Sequence, residues 1–244
     1  MRIFKTLLAG FCLALAIGEG GAVAEEIKGR PVAVVELFTS QGCSSCPPAD
    51  ALMEELGHRD DVLTLAYHVD YWDYIGWEDT FGDAAHSDFQ RAYAQSWGKN
   101  RIYTPQLVIN GLKDVVGSRR QEVETEIADA FLSVPVDLVY EEGLLAVTIP
   151  PVPGAPAAMI YLVTFQDHSE VDIERGENQG KQISYAQIVN SRHVVGVWNP
   201  VEGARLTLPL SELFGDTSNG VAILVQQHQK GLPGAILGAA MFQM

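Results

Sequence analysis

The chain has 244 residues, 47% of them hydrophobic and 19% charged, and no long low-complexity tract, which excludes a disordered protein and allows a sizeable core. Its formal net charge of −15 repels phosphate backbones and anionic headgroups, so no nucleic-acid partner is expected.

Residues 1–24 read as a secretory signal peptide. Arg2 and Lys5 form a basic start, Leu7 to Gly18 an apolar stretch, and Ala22-Val23-Ala24 a small-residue cleavage site. The apolar stretch is shorter than the ~20 residues that span a bilayer. Cys12 follows the bulky Phe11, which argues against a lipid-accepting cysteine. Cleavage removes one acidic and two basic residues, making the mature chain one charge more negative. It also removes Cys12. Cys43 and Cys46 then remain in a periplasmic or secreted chain, with no stable membrane insertion expected.

Residues 25–133 alternate strand and helix signals. Val32–Phe38 (VAVVELF) reads as a buried strand, Ala49–Gly57 as a helix ending on glycine, and Val62–Val69 as a second strand. Ser87–Gly98 is helical, with Phe89, Tyr93 and Trp97 four residues apart, a stripe that reads as core packing. Pro105–Gly111 reads as a strand closed by Asn110-Gly111, and Arg119–Leu132 as a last helix. This order predicts an α/β sandwich. From residue 134 the pattern is all β. Val136–Pro150 predicts a hairpin turning at Glu142-Gly143. Strands are expected within Ala157–Gln166, His193–Pro200, Ala204–Leu210, Gly220–Gln227 and Ala235–Gln243. Residues 134–244 are therefore expected to form a second, sandwich-like β domain.

The stretch ELFTSQGCSSCPPAD (Glu36–Asp50) carries the chemistry. A C-x-x-C pair between a buried strand and a helix fits thiol–disulfide exchange, in which a thiolate attacks and a second thiol one turn along resolves the mixed disulfide. Cys43 is the expected nucleophile and Cys46 the resolving thiol. A bridge closing so short a loop removes little chain entropy, which weighs against a purely structural staple. Pro47 and Pro48 fit only a first helical turn, so the helix start, and the help its dipole gives Cys43, stays open between several positions. Thr104-Pro105 precedes a strand, where proline is tolerated.

Together, the VAVVELF strand, CSSC at a helix start and YTPQL resemble the thioredoxin superfamily. The resemblance implies a thioredoxin-like fold for the α/β half. It also implies a cis Pro105 beside the cysteines and a substrate groove at Thr104 and Pro105. Glu36 falls one residue from the position of that superfamily's buried proton-transfer acid. Ser44-Ser45 differ from the residues that usually stand between the cysteines, so no redox potential carries over. ELFTSQGCSSCPPAD, YHVDYWDYIGW, YTPQLVING and ERGENQGKQI also resemble a secreted bacterial family described as a domain of unknown function.

Three further features were weighed. Tyr67–Phe81 is dense in aromatics and acids. Tyr71, Trp72 and Trp77 are candidates for partner binding there, or for a packed layer between the halves. His68, Asp70 and Asp73 lack a recognised metal-ligand spacing. Glu174–Ile183 reads as a docking loop or a solvated turn. The expected function is thiol–disulfide exchange on a thiol or disulfide substrate, expected to be a protein, with a separate redox partner and no cofactor beyond the Cys43–Cys46 disulfide. The alternatives are a binding or adaptor protein with a structural disulfide, or a copper(I) carrier. Thioredoxin-like copper carriers place three residues between the cysteines, whereas this chain has two.

Overall fold

The computed structural model describes residues 26–215 and 217–244. The expected signal peptide, its expected cleavage site and Cys12 lie outside them. In chain order the elements are β1 (Glu26–Lys28), β2 (Ala33–Thr39), α1 (Pro47–Gly57), β3 (Val62–His68), a 3-10 turn (Asp73–Ile75), α2 (Ala84–Ser96), β4 (Gln106–Ile109), β5 (Lys113–Val116) and α3 (Arg120–Ala128). Then follow β6 (Asp137–Glu141), β7 (Leu144–Ile149), β8 (Ala158–Asp172), β9 (Gln182–Trp198), β10 (Ala204–Pro209), α4 (Leu210–Leu213), β11 (Gly220–Gln229) and β12 (Leu232–Gln243).

β2 and β3 are parallel, connected through α1. β4 runs antiparallel to β2, and β5 antiparallel to β4. These strands form one end of a nine-stranded sheet, in the order β1-β12-β11-β8-β9-β3-β2-β4-β5. The halves join where β9 meets β3, at the single register pair Ala66–Ile188. The sequence expectation of two domains meeting at residues 133 and 134 therefore differs from the structure, in which one sheet runs through both. The connecting segment is packed down, since the Val134 amide donates to Leu237 of β12. Gly238 makes room for it: a Cβ there would lie 2.2 Å from the Val134 carbonyl oxygen.

Alternation along β2 separates two cores. Val35 and Leu37 meet Leu52 and Leu56 of α1 and Val123 and Ile127 of α3, pairs four residues apart on their helices. Val34 and Phe38 face the opposite layer, with Tyr93 of α2, Val163 of β8 and Leu224 of β11. α2 thus lies across the junction of the halves. Its aromatic stripe is in ring contact, with Tyr93 and Trp97 stacked at 5.2 Å between centroids and Phe89 tilted against Tyr93 at 4.8 Å. Burial of these rings stabilises the junction, most at the fully buried Tyr93 and less at the half-buried Phe89 and Trp97.

β10, β7 and β6 form a separate three-stranded sheet. Its Leu138, Leu145 and Val147 cover Ile160 and Leu162 of β8 and Val221 and Ile223 of β11. The 136–150 hairpin turns at Glu142-Gly143, both with positive φ. β8 and β9 extend further than the sequence suggests. Beyond Gln166 and Ile188 they pair only with each other, as a two-stranded arm reaching Asp172 and Gln182. Among the described residues no helix is long and apolar enough to cross a membrane.

Candidate functional site

Cys43 and Cys46 are joined by a disulfide in the turn between β2 and α1. The Cys43 amide donates to Ser40, and the Cys46 amide to Cys43. Helix α1 begins at Pro47, with Cys46 as its cap and both prolines in its first two positions. The next two amides, of Ala49 and Asp50, both donate to the Cys46 carbonyl, at 2.7 and 3.1 Å. Pro47 and Pro48 have no amide to offer, so the helix end presents no free N–H to Cys43. A hydroxyl stands there instead: Ser45 Oγ lies 3.4 Å from Cys43 Sγ. Both cysteines are 0% exposed. Ser44 and Ser45 between them are exposed.

Three side chains from distant segments close over this turn. The Trp72 indole donates to Thr104 Oγ1 at 2.8 Å. Its Cβ also packs on Gly42, where an added Cβ would fall 3.1 Å away. Trp72 therefore bridges the cysteine turn and the Thr104-Pro105 loop. The Trp77 indole donates to Gln41 Oε1 at 2.8 Å. Asn178, at the tip of the β8–β9 arm, donates through Nδ2 to the carbonyls of Gln41 and Cys43, both at 2.9 Å. Tyr71 sits further out, donating to Gln90. Of the aromatic segment, Tyr74 stands free in solvent.

The Thr104–Pro105 peptide bond is cis. Pro105 is brought against α1 by Gly117. A Cβ on Gly117 would lie 3.0 Å from Leu37, 3.1 Å from Ala49 and 3.4 Å from Pro105. Only a residue without a side chain allows β2, the first turn of α1 and Pro105 to meet this closely.

Three acids are buried around the site, Asp50, Asp79 and Glu36. Asp50 is one turn from Cys46 on the same helical face. Thr39 Oγ1 donates to its Oδ1 at 2.7 Å, and Oδ2 has no partner among the described residues. Burial pushes the Asp50 carboxyl up to about 7, against the smaller lowering effects of Thr39 and His68. His68 Nδ1 lies 2.9 Å from Asp79 Oδ2. Burial raises Asp79, but His68 and the Gln41 and Phe81 amides outweigh it and hold the carboxyl below its usual range. The Asp79 carboxylate also accepts from the Gln41 amide, tying this pair to the cysteine turn.

Glu36, the sequence candidate for proton transfer, points to the other face of β2. It packs away from α1, beside Val34 and Phe38 rather than Val35 and Leu37. The Tyr93 hydroxyl donates to its Oε2 at 2.5 Å and itself accepts from Gln226. Burial raises the Glu36 carboxyl, opposed by Arg192, Tyr93 and Tyr67. The group links α2, β2 and β11 rather than serving the disulfide. Nor do His68, Asp70 and Asp73 converge: Asp70 accepts from Ser87, and Asp73 from the Asp79 amide. Among the described residues no group of three or more His, Cys, Asp or Glu could hold a metal ion.

A family model described as "Protein of unknown function (DUF1223)" matches residues 34–226, which include the cysteine turn, the Thr104-Pro105 loop and the arm. The chain belongs to the DUF1223 family. The crystal structure of protein AGR_C_4864 from Agrobacterium tumefaciens is similar, with a TM-score of 0.79 at 32% identity, covering 88% of this chain and 95% of that one. HBP35 of Porphyromonas gingivalis has a TM-score of 0.55 at 13% identity, covering 87% of this chain and 74% of that one, a likeness of fold alone. No functionally curated protein matches.

In this DUF1223 chain, sequence reasoning missed Ser45, Asp50 and Asn178. Asp50 carried a signal, since it lies four residues after Cys46 and so one turn along a helix. Ser45 lay inside the motif but had no assigned partner. Asn178 is 135 residues from Cys43; it lies inside Glu174–Ile183, read as a docking loop or a solvated turn, but nothing local singles out this residue or its partner.

Proposed function

We propose that this protein is a periplasmic or secreted thiol–disulfide oxidoreductase with a thioredoxin-like core, acting through Cys43 and Cys46. One observation carries the reading: the C-x-x-C disulfide caps α1 with a buried, proton-holding carboxyl, Asp50, one helical turn away. The strand order β3-β2-β4-β5, with only β2 and β3 parallel and the motif following β2, supports the core assignment.

A substrate thiolate attacks Cys43 Sγ. The S–S bond breaks, and its electron pair stays on Cys46 as a thiolate. Asp50, near neutrality in its titration, supplies the proton that makes Cys46 a thiol. A second substrate thiol, deprotonated, attacks the mixed disulfide and releases Cys43 as a thiolate, to which the Ser45 hydroxyl donates. The substrate leaves as a disulfide, and two electrons remain on the cysteine pair. A partner disulfide restores the pair, and the reverse sequence reduces a substrate. The sulfurs carry the electrons, so no organic cofactor enters. Asp50 takes the part first assigned to Glu36, because Asp50 shares the α1 face with Cys46.

The complete burial of both cysteines favours a second reading, a structural disulfide in a binding or adaptor protein. Oxidation of a reduced, unfolded test protein by the oxidised chain separates the two. The oxidoreductase reading expects transfer at least about tenfold faster than by glutathione disulfide at equal concentration, and a trapped mixed disulfide when reduced Cys46→Ala, through its Cys43 thiolate, meets the disulfide-bonded form of the test protein. Transfer no faster than glutathione, with no trapped species, leaves the structural reading.

A further inference from the structure

We propose that the tip of the β8–β9 arm, residues 173–181, is a strap that gates access to the Cys43–Cys46 disulfide, with Asn178 as its latch. The inference rests on the exchange reading for its purpose, but its physical content is access alone. A disulfide can exchange only when a thiolate reaches a sulfur in line with the S–S bond. Here both cysteines are fully covered while the serines between them are exposed, so sulfur is withheld although the turn itself lies at the surface.

The latch is built rather than incidental. Asn178 is 1% exposed. Its Nδ2 serves two carbonyls of the cysteine turn, and its Oδ1 accepts from Lys181 Nζ at 2.8 Å, which fixes the amide orientation. The tip is closed on itself by Ile173 N–H to Lys181 O and Gly180 N–H to Ile173 O. Gly176, at φ +78°, lies against Trp77, where a Cβ would come within 3.2 Å of the Trp77 Cβ. The arm behind the tip gains no third strand, and its β9 side is buried, with Tyr185 against His68 and Phe81 and Gln187 accepting from Thr64. A small apolar footing seats it, with Ile173, Ile183 and Tyr185 packed beside Trp77 and Phe81. The tip itself is held to the turn by the Asn178 bonds and this footing, outside the two main cores, so it can lift while the ribbon behind it stays seated.

The latch also indicates what replaces it. Asn178 occupies main-chain acceptors, the Gln41 and Cys43 carbonyls. The group that takes its place is an N–H donor, which an extended polypeptide segment carries along its backbone. The substrate class that displaces the strap is therefore an unfolded or extended protein segment.

The test is the rate at which a small phosphine and a small dithiol reduce the oxidised, folded full chain. Asn178→Ala removes both latch bonds and is expected to raise both rates by about tenfold or more. Lys181→Ala frees the amide and raises them in the same direction by less. The thermal midpoint of each oxidised variant should stay near that of the wild type. Rates within about twofold of wild type in both variants would overturn the strap, as would wild-type reduction as fast as that of an unstructured CSSC peptide. Because these reagents report sulfur access only, the strap can fail while protein-thiol exchange succeeds, and the reverse.

Discussion

The Thr39 hydroxyl donates to the Asp50 carboxylate at 2.7 Å, joining the last residue of β2 to the first turn of α1 behind the disulfide. Asp50 is otherwise cut off from solvent, and burial moves its carboxyl from 3.8 to about 7. Between those values the unfolded chain is ionised while the folded chain keeps its proton. Folding is therefore favoured below pH 4, and this contribution is lost as the pH rises to about 7. At 1.36 kcal/mol per pH unit the loss is on the order of 4 kcal/mol. Urea titrations across this range should show wild-type stability falling with pH. Asp50→Asn should reduce the slope by the Asp50 share, leaving the trend that raised Glu36 adds to both proteins. Identical slopes would mean that Asp50 titrates normally.

Ser45→Ala tests the hydroxyl beside Cys43. With no free helix amide at the motif, Ser45 is the donor the structure offers to a Cys43 thiolate. Losing one such bond should raise the Cys43 thiol pKa of the reduced protein by roughly half to one unit. Thiolate absorbance against pH measures it. The same substitution at Ser44 should have no effect.

Gly117→Ala tests how closely β2, α1 and Pro105 must meet. The new methyl lands 3.0 Å from Leu37 and 3.1 Å from Ala49, neither of which can swing aside. A cost of about 1–3 kcal/mol is expected in denaturant midpoints. Gly29, which has open space around it, is the control position for the same change.

Tyr93→Phe removes the donor to Glu36 while keeping the ring stack of α2. A buried carboxyl left short of a partner costs about 1–3 kcal/mol. The loss should grow with pH, because the donor favours the ionised form and its removal raises Glu36 further. A pH-independent loss would assign the effect to packing alone.

What was legible in the sequence was local. The apolar run of β2, the cysteine spacing and the Glu142-Gly143 turn each speak through neighbouring residues, and the structure has them where they were read. Glu36 shows the limit of this. One residue along a strand changes the face, and sequence offers no origin from which to count parity. β5 is a four-residue edge strand, too short for a periodic signal. The β8 side of the arm gave little signal because Gln166–Asp172 is polar but for Val171, while the apolar Ile183, Tyr185 and Ile188 of β9 stand among polar residues. The single sheet was hidden for a related reason: its joint is one register pair between strands more than a hundred residues apart.

Asn178 is carried on the same chain as the turn it covers. A tethered group of this kind acts at an effective concentration on the order of millimolar, whatever the dilution of the protein. Any molecule that is to reach Cys43 competes with that built-in occupant. Weak and abundant thiols are held off by mass action. A partner that binds through several main-chain contacts at once can win the contest, so the tether sets an affinity threshold for admission.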